Sequence, residues 1–521
     1  MIKKILIVMA YRAFTLVLAT TSFCSENDPV QPPSRPILPS SDFEILPFET
    51  LKLIAMHARI KDGIVLTEVS RTFNKALQND PEVLENYARR IPGNEFHSFP
   101  LKKQEEDSAI YSQRTSAFLK GLINHLRYPT CEPLMYFNPT KPVAVSGDGK
   151  TMVGTFSFPI PTPQGESEIG DIIGVLSPSG LHKFAPENYQ AQGLCVDYSG
   201  SFISCTMHTN SEVTKALFRN METGNLTRLK DLETNSEPRA ISTWQGKTII
   251  AGIAYPNGPN PSPRAVQWTL EQGSNLQTLA LVGTSSNQIN SEANGISLDG
   301  TTMVGTSQDA TDGNKLKAFV MSNQKGFCLL GTLKDDVESE AKGISAHGDI
   351  VVGNSYKFGT EGEFDEPNSR AFRWLKVPEN LLNEYKTDPN ITIAAGGIMS
   401  SLGMLPGYTD SYATAISANG RIIGFCADKQ NKFQAFIWDQ TIGGMQSIDS
   451  LIKEFLTEDI TFVTADSINA NGTIILLKGT FTTPEGPSIR IFRIYFPRFD
   501  VLEAQGINVL KVTPVLSDQI K

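Results

Sequence analysis

A chain of 521 residues that is 40% hydrophobic and 19% charged has the apolar material for a large core, which excludes a disordered or low-complexity protein. A formal net charge of −9 and the lack of a basic stripe exclude nucleic acid as the principal partner.

The first 25 residues place Lys3 and Lys4 ahead of two apolar runs split by Arg12, with small residues from Thr20 to Ser22 where a peptidase could cut. That order of basic, apolar and small residues is the pattern of a secretory signal peptide, with a signal anchor as the alternative. No later segment is long and apolar enough to span a membrane. Residues 26–42 are rich in Pro and Ser and read as a linker.

Over residues 43–95 glycine turns disappear and helical spacing takes over, with Leu51, Ile54 and Ala58 on one face and Leu66, Val69, Phe73 and Leu77 on another. Here Leu46-Pro47-Phe48-Glu49, Ile54, Asp62, Leu66, the run Val69-Ser70-Arg71-Thr72-Phe73-Asn74, and Asp80-Pro81 with Leu84 follow one another in the order of an F-box. The segment resembles that family; the alternative is a three-helix bundle that caps the larger, carboxy-terminal part of the chain. The resemblance implies that Leu46, Pro47, Ile54, Leu66 and Val69 dock a Skp-type adaptor of an SCF ubiquitin ligase, through an apolar patch that a lone soluble domain would not leave open. Residues 96–131 then read as a helical linker, its acidic start at Glu105, Glu106 and Asp107 suiting a helix amino terminus.

From about residue 140 a phrase recurs seven times, best seen in AVSGDGKTMVG from Ala144, GISLDGTTMVG from Gly295 and GISAHGDIVVG from Gly343. Its turn glycines are Gly149, Gly200, Gly246, Gly300, Gly348, Gly420 and Gly472, at intervals of 51, 46, 54, 48, 72 and 52 residues. A period of about 40 to 50 residues is that of one four-stranded propeller blade. Each unit enters an Asp-Gly or Asn-Gly turn and leaves as a β-branched run, the mark of a hairpin. A third strand follows as Ala-Phe-x-Trp, at Ala371 and Ala435 and in altered form at Ala216, Ala265 and Ala318. A fourth is read at Phe327–Leu333 and Met399–Leu405. The expected fold is mainly β: a seven-bladed β-propeller of four-stranded blades over residues 132–500, preceded by the small α-helical, F-box-like domain and followed by a tail at 501–521. The repeat resembles the HAF-type repeat of bacterial extracellular proteins, which implies a propeller and export, and no activity.

The repeats offer no catalytic constellation. Ser-x-Asp-Gly is similar to the Asp-box of sialidases, but His347, Asn419 and Asn471 replace the Asp, so these residues read as turn formers. Six histidines without paired spacing and six cysteines without CxxC leave no metal or cofactor motif. Gly359–Glu366 reads as a solvated loop rather than a calcium site. Trp268, Trp374 and Trp438 share one repeat position and read as packing between blades, whereas Trp244 falls in a turn and is expected at the surface. Cys195 and Cys205 flank one hairpin and could be a disulfide or two buried thiols. The longest interval holds an insertion with a helix near Val377–Asp388, the first place to look for specificity.

The expected function is a non-enzymatic, monomeric adaptor: the F-box-like module holds a Skp-type adaptor and the propeller receives a protein partner. Export by a host-associated bacterium would place it in a host cytosol. The rival is a secreted or surface propeller that binds a partner with no ubiquitin role. A propeller hydrolase or lyase would instead show converging carboxylates, arginines or a metal in the central channel.

Overall fold

The protein is described by a computed structural model over residues 130–496, apart from residues 136, 162–166, 185–189, 209–212, 231, 257–261, 272–276, 283–289, 358–367, 454–455, 457–458 and 484–485. Seven antiparallel sheets succeed one another in chain order. Blade 1 holds β2–β5 (Ala144–Val145, Met152–Pro161, Ser167–Ser177, Gly180–Phe184), and blade 2 β6–β9 (Gln190–Val196, Phe202–His208, Thr214–Asn220, Leu226–Arg228). Blade 3 holds β10–β13 (Glu233–Trp244, Lys247–Pro256, Arg264–Glu271, Gln277–Leu281), and blade 4 β14–β17 (Ser291–Ile296, Thr302–Asp309, Lys315–Ser322, Gly326–Gly331). Blade 5 holds β18–β22 (Glu338–Ile344, Ile350–Lys357, Asn368–Lys376, Ile391–Ala394, Gly397–Ser401), and blade 6 β23–β26 (Asp410–Ile416, Ile422–Ala427, Phe433–Asp439, Gly444–Ser447). Blade 7 pairs β27–β29 (Ile460–Ile468, Ile474–Thr483, Gly486–Tyr495) with β1 (Thr130–Pro133), so a strand from the amino-terminal side closes the ring. The first strands of the blades touch in a closed circle and surround a central channel.

All seven expected turn glycines connect the first and second strands of their blades, with φ between 70° and 85°. A buried side chain holds most of these turns from inside. The hydroxyls of Ser146, Ser297 and Ser345 accept the amide five residues on at 3.0 Å, and the side-chain oxygens of Asp197 and Asn469 do so at 2.9 Å. Neighbouring turns then bond to each other: the amide of Ala470 donates to Gly147, Asp148 to Tyr198, Leu298 to Ala346 and Ala418 to Ala470. The Ser and Asx residues of the repeat are therefore structural, as their scatter over seven turns implies.

The hairpins between first and second strands of blades 2 to 7 are not regular ladders. Gly295 does not face Gly305: Ala293 pairs with Gly305 and Gly295 with Val304, leaving Asn294 as an extra residue in the ladder. The same β-bulge falls at Leu194, Arg239, Lys342 and Thr414. It separates Cys195 from Cys205, which pair with Ser204 and Gly193. Both cysteines are free and buried, Cys195 among Leu229, Ile241 and Trp268 and Cys205 among Val153 and Ile173, on opposite faces of their sheet. Burial raises the Cys195 pKa to about 12 and raises that of Cys205 as well. Since the thiolate is the reacting species, both cysteines should resist iodoacetamide in the native protein and react fully in urea, as mass spectrometry would read.

A second seam runs between blades. The buried hydroxyls of Ser236, Ser291, Ser339 and Ser411, near the starts of first strands, accept the amides of Ala216, Ala265, Ala318 and Ala371 in the preceding blades at 2.9–3.0 Å. Those alanines open the Ala-Phe-x-Trp strand, so blades 2 to 6 are fastened one to the next at the same point.

Candidate functional site

In each antiparallel blade the turns after the first and third strands lie at one end, and the connections after the second and fourth at the other. The serine seam and the turn glycines therefore bracket the channel from opposite ends. Just inside the seam, each first strand carries one residue beside its serine and one at its bulge. These are Glu237 and Arg239 in blade 3, Glu292 and Asn294 in blade 4, Glu340 and Lys342 in blade 5, and Tyr412 and Thr414 in blade 6.

These side chains link blade to blade. Arg239 sits 3.1 Å from Glu237 and 3.4 Å from Glu292 of the next blade, and its Nη1 donates to Asn294 Oδ1 at 3.2 Å. Asn294 Nδ2 in turn donates to the Ala341 carbonyl at 2.9 Å, and Thr414 Oγ1 to the Ala465 carbonyl at 2.5 Å. Glu340 takes Lys342 at 2.9 Å, Asn354 Nδ2 at 3.1 Å and the Tyr356 hydroxyl. Burial opposes the charge on Glu340, but Lys342 and the bonds from Tyr356, Lys342 and Asn354 outweigh it and hold its pKa below the ordinary carboxylate value. Burial first, and then the Glu340 charge, push the Tyr356 hydroxyl up, so it stays a donor. Side-chain exposures of 41% at Glu237, 37% at Glu292 and 22% at Glu340 grade the arc from open to enclosed. Three carboxylates and two cations on successive blades make a surface that can recognise charged groups.

The repeat Ser-Glu-x-x-Ala/Gly-Ile-Ser at Ser236, Ser291 and Ser339 carries this arc in the sequence, its serine nine or ten residues ahead of the turn glycine. The glycine phrase alone did not reveal it. Leu46, Pro47, Ile54, Leu66 and Val69 lie outside the described residues, as does Gly359–Glu366.

Trp268 is 0% exposed and packs between blades 2 and 3, and Trp374 is buried between blades 4 and 5, as their shared repeat position implies. Trp244 is 47% exposed at the glycine-turn end. The insertion of blade 5 forms a 3-10 helix, Glu379–Tyr385, and then β21, a fifth strand at the outer edge of the sheet. It widens the rim of blade 5 and does not face the channel. Among the described residues no helix is long and apolar enough to cross a membrane, and no three His, Cys, Asp or Glu side chains group to hold a metal.

No family model matches the chain, and no curated protein matches its sequence. Solved structures match in fold. The β-propeller domain of the Trilobed protease from Pyrococcus furiosus aligns at TM-score 0.40 and 9% identity, covering 68% of this chain and 93% of that one. A prolyl endopeptidase aligns at TM-score 0.41 and 9% identity over 81% and 57% of the two chains. The tricorn protease aligns at TM-score 0.32 and 11% identity over 66% and 39%. Likeness at this level shows the architecture alone. The expectation of a non-enzymatic chain is withdrawn, since these similar structures include proteases. The fold is that of a seven-bladed β-propeller closed by a strand from its amino-terminal side.

Proposed function

We propose that this protein is a partner-binding propeller whose channel rim receives a charged segment of another protein, and whose F-box-like segment ties that partner to a Skp-type adaptor. The observation that carries the receptor half is the arc from Glu237 to Lys342: partly exposed charges at the same two repeat positions of successive blades, where a packing role would call for apolar residues. The adaptor half rests on the order of Leu46, Pro47, Ile54, Leu66 and Val69 in the sequence. Joined to a repeat of bacterial type and a secretory start, it supports reading the protein as an exported effector that works in a host cytosol. A secreted binder without a ubiquitin role shares the receptor half.

The hydrolase reading has one observation of its own, the approach of Glu237 and Glu292 to Arg239. Pull-down of the full chain with purified eukaryotic Skp adaptor, beside the Leu46→Ala/Pro47→Ala double variant, separates the readings. The expected result is capture by the wild type and loss in the variant. A folded wild type that captures no adaptor would sink the ligase role and leave the receptor alone.

A further inference from the structure

The repeat supplies its own reference for an anomaly between blades 5 and 6. The third residue of the Ala-Phe-x-Trp strand meets the tryptophan position of the following blade. In blade 2 it is Phe218, which packs with Trp268, and in blade 4 it is Val320, which packs with Trp374. In blade 5 it is Arg373, whose guanidinium carbon lies 4.7 Å from the centre of the Trp438 ring. A charged group thus stands where blades 2 and 4 place apolar carbon.

This guanidinium makes no hydrogen bond or ion pair among the described residues. Burial lowers its pKa, so no carboxylate offsets the loss of water. The tryptophans differ in the same way. Trp268 Nε1 donates to the Lys230 carbonyl at 2.5 Å and Trp374 Nε1 to the Ala394 carbonyl at 2.9 Å, while Trp438 Nε1 has no acceptor among the described residues. Gly444, which has no side chain, lies beside that N–H: a Cβ there would stand 3.6 Å from it. Neither donor group is sealed from solvent. Ser400 stands directly across from Arg373 in the β20–β22 ladder, and its hydroxyl has no partner among the described residues. Ser400 also pairs with Ile391 of β21, so the insertion forms the outer flank of this crevice.

We propose that the crevice between blades 5 and 6 is a carboxylate-binding site formed by Arg373, Trp438 and Ser400. The indole occupies one face of the guanidinium and leaves its edge, with five N–H donors in a planar fork, free to take a carboxylate through two parallel bonds. The indole N–H and the serine hydroxyl supply further donors. A single formal positive charge in a half-buried setting matches a monoanion, which favours a carboxylate over a phosphate dianion. The site lies on the outer half of the blades, away from the channel, and stands whether or not the adaptor reading holds.

The chain has four tryptophans, so indole ¹H–¹⁵N spectra of the full-length protein give one resonance for each. Trp438→Phe assigns the resonance of interest. Acetate is the small probe, and a short peptide with a free carboxyl terminus, beside its amidated form, tests a chain end as the source. The expected result is a saturable shift of the Trp438 N–H with acetate, weakened at least about tenfold in Arg373→Gln, a loss of the size a charge-assisted pair carries. Glutamine stands at this repeat position in blade 3 as Gln267, so the variant keeps a residue the fold already uses, and unmoved Trp268 and Trp374 resonances report that it is folded. Binding of the free-acid peptide well above acetate, with none by the amide, would assign the carboxylate to a chain end; equal binding would assign it to a small acid. No saturable shift with either probe in folded wild type overturns the site, as does an equal shift in Arg373→Gln or tighter binding of inorganic phosphate than of acetate.

Discussion

Trp268→Ala is expected to destabilise the protein by about 3–5 kcal/mol, near the upper end for a single substitution. The side chain is 0% exposed and fills the seam between blades 2 and 3, against Cys195, Ala216 and Leu229 on one side and Ile250 and Ala254 on the other. Alanine would leave a cavity bounded by two sheets that the serine seam holds at a fixed distance, so collapse around it is limited. The lost Nε1 bond also leaves the Lys230 carbonyl without that donor. Trp244→Ala is the matched control: with 47% of its surface exposed at a turn, it should change stability by no more than about 0.5 kcal/mol. Urea titration reads both as shifts of midpoint at constant slope. A Trp268→Ala cost below about 1 kcal/mol would mean that the blades repack freely, and the ordered seam would have to be abandoned.

The sequence was legible wherever a feature repeats and is local. Each turn is set by the positive φ of one glycine, and most by one buried Ser or Asx a few residues away as well, so seven copies announced seven hairpins. The Ala-Phe-x-Trp strand was legible for the same reason, and its tryptophans lie where the repeat placed them. Features that arise between distant residues were not. The closing strand β1 is the four residues Thr-Cys-Glu-Pro, which share nothing with the repeat and gain meaning only from pairing with Ile494 and its neighbours. The bulge is one extra residue in a ladder, and Arg, Asn, Lys, Thr and Leu all occupy it, so composition carries no trace of it. The channel arc fell between the two cases. Its Ser-Glu pattern recurs in three blades, but Tyr412 replaces the glutamate in blade 6, and the glycine phrase drew the eye to the opposite end of the strand.

The bulge also explains the second glycine of the repeat, and Gly305→Ala should cost about 3 kcal/mol or more through collision alone. A Cβ at Gly305 would stand 1.9 Å from the Glu292 carbonyl oxygen and 2.8 Å from the Phe319 ring. The same clash recurs at Gly252 with Glu237 at 2.1 Å, at Gly353 with Glu340 at 2.0 Å and at Gly424 with Tyr412 at 1.9 Å. The bulge swings the backbone of the first strand onto the second, and only hydrogen fits beneath it. Gly326→Ala isolates the other cost of replacing glycine, since its φ is 71° and nothing lies within 4 Å of the added carbon. That variant should lose only the about 1–2 kcal/mol of a left-handed backbone. Gly305→Ala should therefore unfold at the lower urea concentration of the two. Because the displaced carbonyl belongs to Glu292, the variant should also move the carboxylate that Arg239 holds at 3.4 Å. Equal midpoints for the two variants would show that the bulge relaxes around a methyl group, and the rim of the channel would then be softer than its bonding requires.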